Sequence, residues 1–300
     1  MHTIVKQLRD YIYEVDKRIF ASAIVFTAFV IFCNYYFGLN RYLTIQPFLK
    51  EYIGWYLVFL CAFGCGYLLV SFKNSSHWMQ RNFLVLFLIA PAIFAWKMSY
   101  DPEFPFTANT ELNAYWNQVI YWPFKLVVIA GFLFLISKLS GSSKEFYGVN
   151  KKQHDLKPYF LMLVMMIPLI AAASTQADFL AMYPKIKNIG YLQTEHNTRW
   201  YKLLYELSYG SDFFGIELFF RGFLVLGFIK WVGKDAIIPM AMFYCTIHFG
   251  KPLGECISSF FGGLILGVVV YHSRTIIGGF IVHVGIAWLM ELGGAVSSEL

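Results

Sequence analysis

The chain has 300 residues, of which 58% are hydrophobic, 20% aromatic and only 14% charged. Soluble globular domains carry about 25% charged residues, so this composition excludes a soluble domain and favours a polytopic membrane protein. The formal charge of +6 does not indicate nucleic-acid binding, because the basic residues form short clusters between apolar runs, as membrane topology requires. The five cysteines lie within or beside those runs without zinc-type spacing, and we expect buried free thiols.

Nine apolar runs follow one another along the chain, each near the length of roughly 20 residues that crosses the hydrocarbon layer. The predicted spans are residues 19–39, 53–72, 82–99, 115–137, 158–174, 212–230, 235–249, 255–272 and 275–292. Several are short or contain proline, and eight spans fit the sequence as well as nine. The first run is too long for a signal peptide and lacks a small-residue cleavage site after it. The expected fold is all-α and polytopic, with eight to nine transmembrane helices.

The expected organisation is one membrane domain, in which residues 1–200 hold the N-terminal helices and residues 201–300 hold most of the polar intramembrane residues. Lysine and arginine are more numerous in the loops that share a side with the N-terminus, and these include Lys144, Lys151 and Lys152. The positive-inside rule therefore predicts an integral membrane protein of the cell membrane with a cytoplasmic N-terminus.

Ionisable residues are concentrated in the predicted spans of the last third of the chain. Each costs at least about 2.5–3.5 kcal/mol in the hydrocarbon on insertion scales, so such residues are candidates for function. They are Glu217, Arg221, His248, Glu255, His283 and Glu291. Because successive helices alternate in direction, we expect Glu217, His248 and Glu255 to lie toward one side of the membrane. His283 is expected deeper in the membrane, within reach of that side.

Some polar residues have a simpler structural interpretation. Lys125, near a predicted span end, is expected to extend its ammonium to the interface. Ser211 and Asp212 are expected to cap the helix of residues 212–230. Glu291, near the C-terminus, is expected at the interface.

Two of the candidate carboxylates also have structural alternatives. Glu217 and Arg221 are separated by four residues, so they can form an ion pair on one helix face that locks the helix. Glu255 follows a proline and a glycine and can simply begin a helix, where a carboxylate is favoured by the N-terminal dipole.

The chemistry that fits these residues is peptide-bond hydrolysis. A carboxylate and an imidazole can activate water, and a second imidazole can stabilise the oxyanion of the attacked amide. The candidate catalytic residues are Glu217, His248, His283 and Glu255, with Arg221 in a supporting role. Two histidines and a glutamate can also bind zinc. Because no HExxH pattern is present, direct glutamate–histidine hydrolysis without a cofactor is ranked above zinc.

Three short motifs resemble those of the CAAX-protease and bacteriocin-processing (CPBP) family of intramembrane proteases. The segment ELFFRGFL at residues 217–224 resembles the first motif, EExxxR. The segment YCTIH, which ends at His248, resembles the second motif, FxxxH. His283, in IVHVGIA, resembles the third motif, HxxxN. The resemblance covers roughly residues 205–292, and the order and spacing of the motifs also match.

The resemblance implies that His248 activates water, that His283 stabilises the oxyanion, and that Glu217 and Arg221 are the paired residues of the first motif. Two positions depart from the pattern: the first glutamate falls on Ile216 and the third-motif asparagine on Ala287. The resemblance therefore supplies no catalytic base, and the candidates for that role are Glu217 and Glu255.

We therefore expect an endopeptidase that acts on a membrane-associated peptide or protein within the lipid bilayer. One alternative is a non-catalytic relative that serves as an immunity or maturation partner, which Ile216 and Ala287 favour. A transporter or proton relay is a second alternative, which the lack of internal symmetry disfavours. Prenylated CAAX peptides are one substrate class of the family, but the predicted topology opens the site toward the outer face, away from cytosolic CAAX processing.

Overall fold

The structure is a computed structural model that describes residues 2–140, 146–150, 155–194 and 198–298. Every regular element in these residues is helical. The α-helices are α1 (His2–Glu14), α2 (Lys17–Phe37), α3 (Leu39–Thr44), α4 (Phe48–Ser71), α5 (Arg81–Ser99), α6 (Thr110–Leu139), α7 (Lys157–Ala173), α8 (Ala177–Met182), α9 (Tyr191–Thr194), α10 (Thr198–Glu217), α11 (Ile229–Val232), α12 (Ile237–Thr246), α13 (Leu253–Ser273) and α14 (Ile277–Ser298). A π-helix, Leu218–Leu226, follows α10. The loop residues Lys144, Lys151 and Lys152, which support the predicted topology, lie outside the described residues.

Six of these helices are long and apolar enough to cross a membrane, namely α2, α4, α5, α6, α13 and α14. The chain is therefore an all-α integral membrane protein, but the predicted eight to nine spans are not confirmed. The predicted span 158–174 corresponds to α7, an apolar helix of only 17 residues. The predicted span 235–249 contains α12, whose 10 residues rise about 15 Å, half the thickness of the hydrocarbon.

The predicted helix of residues 212–230 has the wrong start and the wrong form. Ser211 and Asp212 do not cap it, because α10 begins at Thr198 and both residues lie inside that helix. The Ser211 hydroxyl instead donates to the carbonyl of Ser208, 2.6 Å away. The first half of α10 is rich in polar residues, so a search for apolar runs does not detect it.

The chain forms two compact units. Unit 1 contains Met1–Tyr100, Phe132–Lys151 and Leu218–Ile276, and unit 2 contains Asp101–Gly131, Lys152–Glu217 and Ile277–Leu300. The boundary passes through the first motif, between Glu217 and Leu218.

The centre of unit 1 is the short helix α12, all of whose residues are buried. It packs against α2, α4, α13 and the π-helix, and a helix that is apolar on every side is stable only in such surroundings. The contact with α4 is close at Gly66, where an added Cβ would lie 2.5 Å from the Cα of Pro239. A side chain at position 66 would therefore push α4 and α12 apart.

Unit 2 is built around α14, which packs against α7, α8 and α10. Gly278 and Gly285 allow α7 to approach, because added Cβ atoms there would contact Tyr159 and Leu163. Glu291, expected at the interface, is buried in this unit, and its Oε2 accepts the backbone N–H of Lys185 at 2.8 Å.

The side chain of Lys125 is buried midway along α6, a helix of 30 residues. Its ammonium donates to the carboxylate of Asp101 at 2.8 Å and to the hydroxyl of Tyr121. Hydropathy could not reveal this interaction, because the acidic partner comes from a segment that precedes the helix.

We predict that Gly66→Ala lowers the free energy of unfolding by about 1–3 kcal/mol, the usual cost of overpacking a tight contact. The measurement is thermal or denaturant unfolding in detergent micelles. Gly262→Ala is the matched control, because an added Cβ at Gly262 meets nothing within 4 Å and alanine is the better helix former. Equal stabilities of the two variants would contradict the packing described for α4 and α12.

Candidate active site

In unit 2, the carboxylate of Glu217 and the imidazole of His283 form a hydrogen bond. The distance from Glu217 Oε1 to His283 Nδ1 is 3.0 Å. The glutamate side chain is fully buried, and the histidine side chain is 12% exposed. Because an ionised carboxylate can only accept, Nδ1 carries the proton, and the second ring nitrogen, Nε2, is directed away from the glutamate.

The packing of α10 against α14 holds this pair in place. The ring of Phe213, one turn before Glu217, lies 4.7 Å from the imidazole of His283 between ring centres. Further along the same two helices, Trp288 Nε1 donates to the carbonyl of Glu206 at 3.3 Å. An added Cβ at Gly210 would lie 3.0 Å from the Trp288 ring. These contacts fix the register at which the carboxylate meets the imidazole.

In unit 1, Tyr244 lies between Arg221 and His248. The guanidinium carbon of the buried Arg221 is 4.1 Å from the centre of the Tyr244 ring, a cation–π distance. The ring centre of His248 is 4.8 Å from that of Tyr244. His248 Nδ1 lies 3.1 Å from the Tyr244 carbonyl, which can only accept, so this contact is a hydrogen bond when Nδ1 carries the proton. In that tautomer Nε2 is the ring atom that can accept a proton.

The prediction that the first motif lies on one face of an α-helix is wrong, because Leu218–Leu226 is a π-helix. Helical turns of this width are rare in proteins, and those that occur are often found at functional sites. A neighbouring turn fits closely against it: an added Cβ at Gly222 would lie 2.6 Å from the carbonyl oxygen of Tyr147. The Tyr147 ring also packs on Phe223, with 5.5 Å between ring centres.

The loop of His248 and the first turn of α13, which carries Glu255, are held at both ends. The thiol of Cys245, before the loop, donates to the carbonyl of Cys256, after it, at 3.3 Å. Glu255 lies in the first turn of α13, and its carboxylate is 3.6 Å from the ammonium of Lys251. This ion pair and the position at a helix start match the structural interpretation of Glu255, while its part in catalysis remains a prediction.

The two positions that depart from the family pattern are buried in unit 2. Ile216 and Ala287 are 8% and 4% exposed, so apolar side chains occupy the places of a glutamate and an asparagine. Across the part of the chain that the structure describes, no three His, Cys, Asp or Glu side chains are grouped as a metal site.

Two acidic residues of α10, Glu206 and Asp212, are not among the predicted site residues. Asp212 is buried, although we had assigned it to a helix cap. Burial and the neighbouring charge of Glu291 raise the pKa of Glu206 to about 7. A possible signal was their spacing before Glu217, because residues 206, 212 and 217 place three carboxylates on one amphipathic helix.

The fold and these contacts define an all-α integral membrane protein with a buried carboxylate–imidazole pair. The sequence profile of the family described as Type II CAAX prenyl endopeptidase Rce1-like matches residues 209–289. That segment contains all three motifs, so the resemblance to the CAAX-protease family is confirmed there. Neither a curated protein nor a solved structure matches the chain.

We predict that Glu217 and His283 are energetically coupled by about 1.5–3 kcal/mol, the range for a hydrogen bond to a charged group. The coupling is measured by a double-mutant cycle on the free energy of unfolding, with Glu217→Ala, His283→Ala and the double variant. The partly exposed pair Lys251 and Glu255 is the control, and its coupling should stay below about 1 kcal/mol. A value for the buried pair no larger than the control would contradict this assignment.

Proposed function

We propose that the protein is an intramembrane endopeptidase, in which a histidine-activated water hydrolyses a peptide bond of a membrane-associated substrate. The observation that carries this proposal is the hydrogen bond between Glu217 and His283. It lies in the segment that matches a protease family. A buried carboxylate that orients an imidazole is a common arrangement where a histidine takes part in proton transfer or anion stabilisation.

The hydrogen bonds of the two histidines suit them to different roles. His283 has a carboxylate as the partner of Nδ1, which orients the ring so that Nε2, when it carries a proton, can donate to the oxyanion. The Nδ1 atom of His248 lies 3.1 Å from the Tyr244 carbonyl, and a neutral ring protonated at Nδ1 can take a proton from water at Nε2. These are the roles that the family resemblance implies.

This chain must provide its catalytic base from a residue other than the family's first glutamate. The family's first glutamate is replaced by Ile216, and Glu217 is already hydrogen-bonded to His283. Glu255 forms an ion pair with Lys251, 3.6 Å away. We therefore propose that His248 deprotonates water directly, and that Glu255 is the alternative base.

A groove on unit 1 is suited to the apolar part of a membrane-anchored substrate. It lies between α2 and α13 and has a volume of about 580 Å³. Its lining is almost entirely apolar and includes Ala28, Phe32, Leu253 and Ile257. The lining residue Leu253 is the first residue of α13 and lies two residues before Glu255 in the chain. We propose that a lipid anchor or an apolar peptide segment occupies this groove while the adjoining peptide is cleaved.

A non-catalytic relative that binds a membrane peptide is the second candidate. The observation that favours it is the burial of apolar side chains at Ile216 and Ala287, where the family has polar groups. This alternative predicts that the wild-type protein binds a tethered peptide without cleaving it. The following experiment distinguishes the two functions.

We predict that purified wild-type protein cleaves a membrane-tethered peptide, and that His248→Ala, His283→Ala and Glu217→Gln each lower kcat by about 100-fold or more. Glu255→Gln should lower kcat comparably only if Glu255 is the base. His272→Gln, an exposed histidine outside the motifs, is the control. Absence of cleavage by the wild type would favour the binding partner, and loss of cleavage in a chelator would favour zinc.

We predict that Ala28→Phe, which fills part of the groove, raises KM for a farnesylated tethered peptide by roughly tenfold, equivalent to about 1.4 kcal/mol of binding. The value of kcat should change little, because the groove lining includes none of the residues assigned to catalysis. Ala21→Phe, on the same helix but outside the groove lining, is the matched control. An unmodified peptide tested in parallel shows whether the groove selects a lipid. Equal KM values for the two variants would exclude the groove as a substrate site.

A further inference from the structure

The N-terminal helix α1 is too short to cross the membrane and has an unusual surface. Its 13 residues rise about 20 Å, less than the hydrocarbon thickness. One face, with Ile4 and Tyr11, is buried, and the helix packs against α13. The opposite face exposes large apolar side chains at Val5, Ile12 and Tyr13. Exposed apolar residues on a helix next to a membrane span are typical of a helix that lies in the bilayer interface.

Basic residues accompany this exposed apolar face. Lys6 and Arg9 project from the same side of α1, because residues 5, 6, 9, 12 and 13 fall within one arc of an α-helix. Lys17 and Arg18 begin α2, and both are exposed. The ammonium of Lys17 donates to the carbonyl of Ile12, which places the start of α2 beside the exposed face of α1.

The acidic residues around α1 are already paired within unit 1. Glu14 forms an ion pair with Lys234, and Asp235 forms one with Lys73 at 2.9 Å. Asp16 caps α2 by accepting the backbone N–H of Arg18 at 2.8 Å. Asp10 lies 3.5 Å from the guanidinium of Arg9. Four basic side chains, those of Lys6, Arg9, Lys17 and Arg18, therefore outnumber the carboxylates of Asp10 and Asp16, which lysines from elsewhere in unit 1 do not neutralise in the ion pairs described. The surface keeps a net positive charge next to its apolar side chains.

We propose that α1 and the first turn of α2 bind the headgroups of anionic lipids. Val5, Ile12 and Tyr13 enter the boundary between headgroups and acyl chains, and the four basic side chains bind lipid phosphates. A surface that is both apolar and basic complements an anionic bilayer, because the two attractions act at the same depth. This role is independent of the proteolysis proposed above.

The test measures the lipid preference of the full chain in bilayers of phosphatidylcholine, with and without phosphatidylglycerol. Spin-labelled phosphatidylglycerol and phosphatidylcholine report the relative association of the two lipids with the protein. We expect a preference for the anionic lipid that decreases roughly fivefold for each basic residue removed. The variant is Lys6→Gln, Arg9→Gln, Lys17→Gln and Arg18→Gln combined. The matched control, Arg41→Gln, Lys50→Gln, Arg199→Gln and Lys202→Gln combined, removes the same charge from exposed positions elsewhere and should keep the preference.

A second measurement uses the wild type alone and does not depend on the folding of a variant. Backbone hydrogen exchange of α1 should slow in the phosphatidylglycerol bilayers, and the effect should vanish in about 1 M salt, where the Debye length falls to about 3 Å. The same lipid preference in both quadruple variants would overturn the proposal. Protection of α1 by native membranes but not by pure anionic lipid would also overturn it, in favour of an acidic protein partner.

Discussion

The buried carboxylate of Glu217 imposes the strictest condition on this structure. A carboxylate that loses water must regain hydrogen bonds from the protein, because an uncompensated charge in an apolar interior costs many kcal/mol. The N–H of His283 supplies one such bond at 3.0 Å. The bond forms only when α10 and α14 pack in one register, and the close contact of Gly210 with Trp288 enforces the same register. The helix packing of unit 2 and the orientation of the imidazole are therefore two results of one interaction.

Unit 1 also contains a buried charged side chain that needs stabilising contacts, and a different arrangement provides them. The buried guanidinium of Arg221 lies over the ring of Tyr244, and that residue's carbonyl also orients His248. Both contacts depend on α12, which is too short to span the membrane but is held on every side by longer helices. Its short length allows the chain to turn within the apolar part of unit 1. The loop that follows presents a histidine there, with both of its ends tied by Cys245 and Cys256.

Sequence patterns predicted the parts of this structure that depend on composition. Long apolar runs identified the helices of an integral membrane protein, and the three motifs identified the segment that matches the protease family. The patterns did not predict α10, because its polar half lowers its hydropathy. They did not predict the π-helix, because nine residues are too few to separate its wider turn from an α-helical period. Nor could they place Lys125, whose burial depends on Asp101. Such errors arise where a tertiary partner, rather than local hydropathy, decides the conformation.

The replaced motif positions bear on why the carboxylate–imidazole pair is present. Ile216 and Ala287 show that unit 2 accommodates apolar side chains where the family pattern has a glutamate and an asparagine. With both polar groups replaced, unit 2 holds no carboxylate at position 216 and no amide at position 287 that would need a hydrogen-bond partner. A well-packed apolar pair is often as stable as a buried ionic one or more so. Stability alone therefore does not account for Glu217 and His283, and this is the physical reason for proposing a chemical role for the pair.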